Sequence, residues 1–237
     1  MIQFITLNTI VTDLINVIRG SKISQSETIN RRQVEDWVNQ YRALLLKQDL
    51  DKGKMPNPDY IQEIKSVILE VVDRSDDADL ASGTYFLRTA ADLPTTIDLN
   101  FKPGITYIGT IDGKEIQLVP EGRAMWQRYK RFTANDTIAF LRNKRIHIET
   151  VKPIKYIDIR GIFEIPIEAS NFINTHSTQG YTDLDDRYPI PVNLVPVLKE
   201  MILSKELGIT TQAPSDNKND STNKVSLNAE PNYVPQG

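Results

Sequence analysis

The sequence predicts an α+β fold in which N- and C-terminal helices form one bundle, carry an inserted antiparallel β-rich domain, and give way to an extended C-terminal tail. Three observations predict it. Apolar residues recur at helical spacing in two early segments and one late one, alternation dominates the middle of the chain, and the residues after Gly208 are overwhelmingly polar. The corresponding boundaries are residues 1–60 for the first helices, 61–180 for the β-rich insertion, 181–208 for the last helix with its approach, and 209–237 for the tail.

In the first segment Leu7, Ile10, Val11, Leu14, Ile15 and Ile18 share a helical face, and Gly20 is a natural stop. In the second, Val34, Trp37, Val38, Tyr41, Leu44 and Leu45 form the stripe, Ser26 or Thr28 is placed to cap its start, and the Gly53, Pro56, Pro58 cluster ends it. From Ile61 the period changes. Ile64, Val67, Ile68 and Val71 suit a helix, but their β-branched density favours a strand from about Lys65. Asp112-Gly113 between two apolar arms signals a two-residue hairpin turn with positive φ at both positions, and Asn143-Lys144 marks another. RIHIETV and YIDIRGIFEI alternate as strands, and a short helix over Glu121 to Arg131 places Met125, Trp126 and Tyr129 on one side. The last helix runs from Asn193 to Leu207, with Leu194, Val197, Leu198, Met201 and Ile202 as its stripe. Pro196 falls in the first turn and Gly208 at the C′ position.

A hydrophobic content of 40% over 237 residues is ample for a buried core. A net charge of -3, with 28 basic against 31 acidic residues, forms no basic stripe and disfavours sequence-specific nucleic-acid binding, while leaving room for a wall that DNA slides past. The absence of cysteine removes disulfides, thiolate nucleophiles and Cys-ligated metals. The opening segment lacks a basic n-region and is interrupted by Asp13, Asn16 and Arg19, well short of the roughly 20 apolar residues that span a bilayer; it reads as a helix of the mature protein.

Catalytic chemistry finds little material. His147 shares strand parity with Arg145 and Glu149 and reads as an exposed strand histidine; His176 lies beside Ser177 in a loop, which is no triad. A hydrolase using His176 with a carboxylate is the enzyme alternative. The residues Asp73 to Asp79 space oxygens like a calcium loop but have Ala78 at the turn glycine and Thr84 at the bidentate glutamate. GTIDGKE has the wrong spacing for a phosphate loop, and RAMWQRYKRF reads as an amphipathic helix before it reads as a nucleic-acid contact. No catalytic, cofactor or metal residues are therefore predicted.

Four stretches in series carry a resemblance. RRQVEDWVNQYRALLLKQ, YFLRTAADLP, IDIRGIFEIP and DRYPIPVNLVPVLKEMILSKEL, followed by APSDNKND, together resemble the adaptor (ring) proteins of the head-to-tail connector of crAss-like and related short-tailed phages, over roughly residues 30 to 220. The resemblance implies a virion protein that forms a dodecameric ring below the portal, with the tail or further ring proteins beneath it. It also implies a C-terminal segment that docks on the portal, for which the matching positions are Pro214, Asp216, Asn217, Asn219 and Asp220. A ring or tail-hub component lower in the connector is the alternative from the same particle. Ring contacts would also account for surplus apolar positions such as Leu46, Tyr85 and Phe86.

Overall fold

The computed structural model describes residues 5–20, 29–72, 85–100, 102–127, 136–172 and 184–208. Its helices are α1 (Leu7–Gly20), α2 (Arg31–Asp51), α3 (Glu121–Gln127), α4 (Pro166–Ser170) and α5 (Val195–Glu206). Its strands are β1 (Gln62–Val71), β2 (Tyr85–Thr89), β3 (Asp98–Leu99), β4 (Lys102–Pro103), β5 (Ile105–Thr110), β6 (Gln117–Leu118), β7 (Ile138–Arg142), β8 (Arg145–Thr150) and β9 (Tyr156–Gly161).

Seven strands make one sheet in the order β5-β9-β1-β2-β8-β7-β6, and β3 and β4 form a separate two-stranded ribbon. The terminal strands of that sheet, β5 and β6, are consecutive in the chain. Their hairpin brings the edges together: Gly109 bridges Glu115, and the Ile116 amide donates to the Ile108 carbonyl at 2.8 Å. The sheet is thus a nearly closed barrel. Its interior holds Ile64, Val67, Leu69, Leu87, Ile108, Ile116, Ile146, Ile148, Ile157 and Ile159, a set dominated by the β-branched side chains that suit a pleated, curved surface.

The expected helical bundle with an inserted antiparallel β domain is overturned by this arrangement. The body of the fold is the barrel-like sheet, and the helices are few, most of them short, and laid against it. The physical reason lies in α2, whose face is divided: Val34, Val38 and Leu45 join α1 and α5, while Leu46 packs with Tyr60, Ile97 and Ile162 beside the barrel. Nor is the sheet wholly antiparallel, because β6 runs parallel to β7. The 209–237 tail lies outside the described residues.

Local chemistry explains the element ends. Asn30 caps α2 by accepting from the Arg32 amide, in place of the Ser26 or Thr28 expected from sequence. Gly53 follows its C-cap with φ 80°, and Gly208 follows the C-cap of α5 with φ 63°. Both expected hairpin turns form, but only one has the expected two-residue geometry. Asn143 (φ 49°) and Lys144 (φ 60°) form the two-residue turn with both positions left-handed. At Asp112-Gly113 only Gly113 is left-handed, and its amide donates to Thr110 O while Thr110 N donates to Lys114 O, a three-residue loop.

A second layer covers the outer face of β2, β7 and β8. Val72, Phe86, Val119, Ala124, Ile138 and Phe140 form this cluster, with α3 as its lid. His147 therefore departs from the exposed reading: it is buried, stacked on Phe140 at 5.3 Å between ring centroids, and tilted against Phe86. The Arg145, His147, Glu149 parity is right, but the part of that face that holds His147 and Glu149 is covered, and only Arg145 at its end stays partly exposed.

Candidate functional site

Buried polar groups in this molecule serve the fold before anything else. Arg42 on α2 is fully buried; its Nε donates to Pro189 O at 2.7 Å and its Nη1 to Phe163 O at 2.8 Å, with the guanidinium 5.6 Å from the Tyr188 ring centroid. One side chain thereby joins α2, the end of the barrel and the proline-rich approach to α5. A charged donor bonded to two carbonyls in a buried site is stabilising because the same carbonyls would otherwise lack this partner. Sequence reasoning missed Arg42, since an arginine between Tyr41 and Ala43 reads as part of a solvated face.

The helices are tied to one another at the surface. Tyr41 Oη donates to Glu206 Oε1 at 2.6 Å, which, with minor burial, pushes the Tyr41 phenol up to about 12. Lys199 Nζ donates to Asp13 Oδ2 at 2.6 Å. On the outer barrel wall Glu70 accepts from Arg88 and from Arg145, which also reaches Asp92. These pairs are partly exposed and worth little individually, but they fix the register of a solvated face.

Two concave surfaces among the described residues are of a size to note. One, of 460 Å³, lies along α2 and is lined by Ala43, Leu44, Lys47, Ile97, Asp98 and Ile165. The other, of 510 Å³, follows the incomplete seam between β5 and β6, with Ile105, Leu118 and Leu141 as apolar lining and Asp98, Glu115 and Glu121 as acids. Both are open to solvent along one side.

The residues singled out from sequence fall as follows. Leu46 and Phe86 are buried in the chain's own core and leave nothing over for a neighbour; Tyr85 stays 44% exposed. Leu44, placed in the α2 stripe, is instead on the groove. Trp126 is 71% exposed on α3. His176, the Asp73 to Asp79 stretch and the docking positions Pro214, Asp216, Asn217, Asn219 and Asp220 lie outside the described residues. Among the described residues no cluster of His, Cys, Asp or Glu could hold a metal ion, and no helix is long and apolar enough to cross a membrane.

The described residues thus offer a barrel-like scaffold with helical flanks, structural ion pairs and open grooves. A family model for phage tail ring protein 2 matches residues 9–225. The chain belongs to the phage tail ring protein 2 family, a family of structural, tail-related virion proteins. A search of curated proteins found no match.

Proposed function

We propose that the chain is a non-enzymatic adaptor that bonds the portal to the tail. It closes as a homo-oligomeric ring, dodecameric by the resemblance, around the passing DNA. It is made in the host cytoplasm and resides at the head-tail connector of the virion. The observation that supports this most is the extent of the family match, which runs through residue 225 and so includes Pro214, Asp216, Asn217, Asn219 and Asp220. These residues belong to a polar stretch with too little apolar surface to offset its ordering entropy alone, so a partner is what would order it. Many small contacts along such an arm attach it without a preformed pocket. A ring wall without a basic stripe lets DNA slide, because counterion-releasing contacts would retard it; a basic lumen in the assembled ring would contradict that part.

Truncation after Thr210 tests the reading. The shortened chain should keep its barrel and lose attachment to the portal in a pull-down with purified portal. Attachment retained by the shortened chain would take the docking surface off the tail, and a full-length chain that fails to bind purified portal favours the second reading, a ring or tail-hub component lower in the connector, which the family's description as a tail ring also supports. His176→Ala should leave assembly unchanged; a hydrolytic activity abolished by it would bring back the enzyme reading.

A further inference from the structure

Among the described residues, hydrogen bonds close the barrel only at the turn end of its β5/β6 hairpin. Thr110 N reaches Lys114 O, and Ile116 N reaches Ile108 O. Continuing that antiparallel register by two residues would set Thr106 opposite Leu118, but no hydrogen bond joins them among the described residues. At that point β5 carries a bulge between Ile105 and Tyr107, and bulges bend the strand that bears them. The 510 Å³ groove opens where the ladder stops, lined by both Thr106 and Leu118.

The backbone there is set up to pair. Leu118 is registered with Ala139 in the parallel β6/β7 ladder, and the bond to Ala139 O comes from Val119 N at 2.8 Å. Alternate residues of a parallel ladder bond to alternate sides, so the N–H and C=O of Leu118 point into the seam. Below them Ile105, Leu118 and Leu141 offer apolar surface, and Glu115 stands exposed on the outer side. An open edge of this kind is a template for an added strand.

We propose that the seam between β5 and β6 receives residues 222–227 of an adjacent copy as an inserted strand. That stretch, Thr222 to Leu227, is free of proline and glycine and alternates, with Val225 and Leu227 on one side for the apolar lining and Lys224 on the other, where Glu115 stands. Thirteen residues separate Gly208 from Thr222, enough for about 45 Å of extended chain. That reach matches the roughly 40 Å width of a compact body of this size, so a neighbour's seam is accessible. The inference rests on membership of a ring family and not on the portal reading, since the portal positions lie upstream of residue 222.

The absence of cysteine makes the test direct. In the full chain, Gln117→Cys and Ser226→Cys place one thiol on the outward side of β6 and one on the outward side of the inserted strand. Mild oxidation of the purified double variant should give a ladder of inter-chain disulfide multimers on a non-reducing gel, whereas either single variant should stop at dimers. On the unmodified full chain, the Leu118 amide should exchange its hydrogen about tenfold more slowly at concentrations where oligomers form than where the chain is monomeric. No ladder at any concentration, a link within one chain, an equal ladder from Gln117→Cys with Ala213→Cys, or unchanged Leu118 exchange each overturns the proposal. No portal is present in these experiments, so their failure leaves the portal reading standing, and the failure of portal binding leaves this one standing.

Discussion

Arg42 Nη1 donates to the carbonyl of Phe163 at 2.8 Å, so that a helix laid against the barrel is held by a backbone group just beyond the end of β9. The same guanidinium also binds Pro189 O, which ties the approach to α5 into the same point. Replacing Arg42 by alanine removes charged hydrogen bonds and leaves two carbonyls without this donor. We expect a loss of about 3 kcal/mol or more in denaturant unfolding. Arg42→Lys should recover only part of it, since an ammonium is a point charge and cannot reproduce the planar fork. A loss below about 0.5 kcal/mol would mean that the helices are held to the barrel by apolar packing alone.

Gly104 and Gly122 separate two reasons for a glycine. A Cβ at Gly104 would meet Ile97 O at 2.8 Å and Ile162 O at 2.9 Å, both backbone atoms that cannot swing aside. Gly104→Ala should therefore destabilise by about 1–3 kcal/mol. A Cβ at Gly122, inside α3, meets nothing within 4 Å, so Gly122→Ala should be neutral or stabilise by up to about 1 kcal/mol through helix propensity. Thermal melts of the two variants side by side check the contrast.

The Tyr41–Glu206 bond makes a pH prediction. The phenol of Tyr41 is raised from 10.0 to about 12, first by its hydrogen bond to Glu206 and then by burial and the carboxylate's charge. The folded state thus favours the protonated phenol more than the unfolded state does. The contribution of this bond is complete below pH 10 and is lost as pH rises towards 12. Tyrosinate absorbance of the folded chain should include a phase near pH 12 that Tyr41→Phe removes, and the same substitution should flatten the stability loss over that window. A wild-type titration without that phase would remove the bond from the account.

Parts of this architecture are legible in the sequence because they are local. The α1 stripe of Leu7, Ile10, Val11 and Leu14 is buried as its spacing predicts, and Gly208 ends α5 in the left-handed region. The β1 stretch is instructive in another way. Ile64 and Val67, three apart, looked helical, yet both face the barrel interior, because Ser66 (φ 56°) sits in a bulge that shifts the register between them; its amide donates to Asp158 Oδ1 at 2.8 Å. From Val67 to Leu69 the strand period resumes. A bulge can thus imitate a helical repeat over one step.

What was not legible depends on distant partners. Nothing near Arg42 in sequence announces Phe163 or Pro189. Barrel closure requires β6, two residues long, to lie parallel to β7, and no pattern of two residues carries that information. His147 looked exposed because its strand alternates, and only the fold shows that α3, Phe86 and Phe140 cover that face. As for the candidate site, the docking positions came from resemblance, while the two grooves emerge only once α2, β3 and the β5/β6 hairpin are brought together.

The portal-to-tail adaptor reading meets its most direct test in an electron-microscopic reconstruction of intact particles that resolves this chain and its neighbours. The account predicts a ring of copies directly beneath the portal, with Pro214, Asp216, Asn217, Asn219 and Asp220 against portal subunits. A ring that touches only tail or other ring components, with those residues away from the portal, would contradict it.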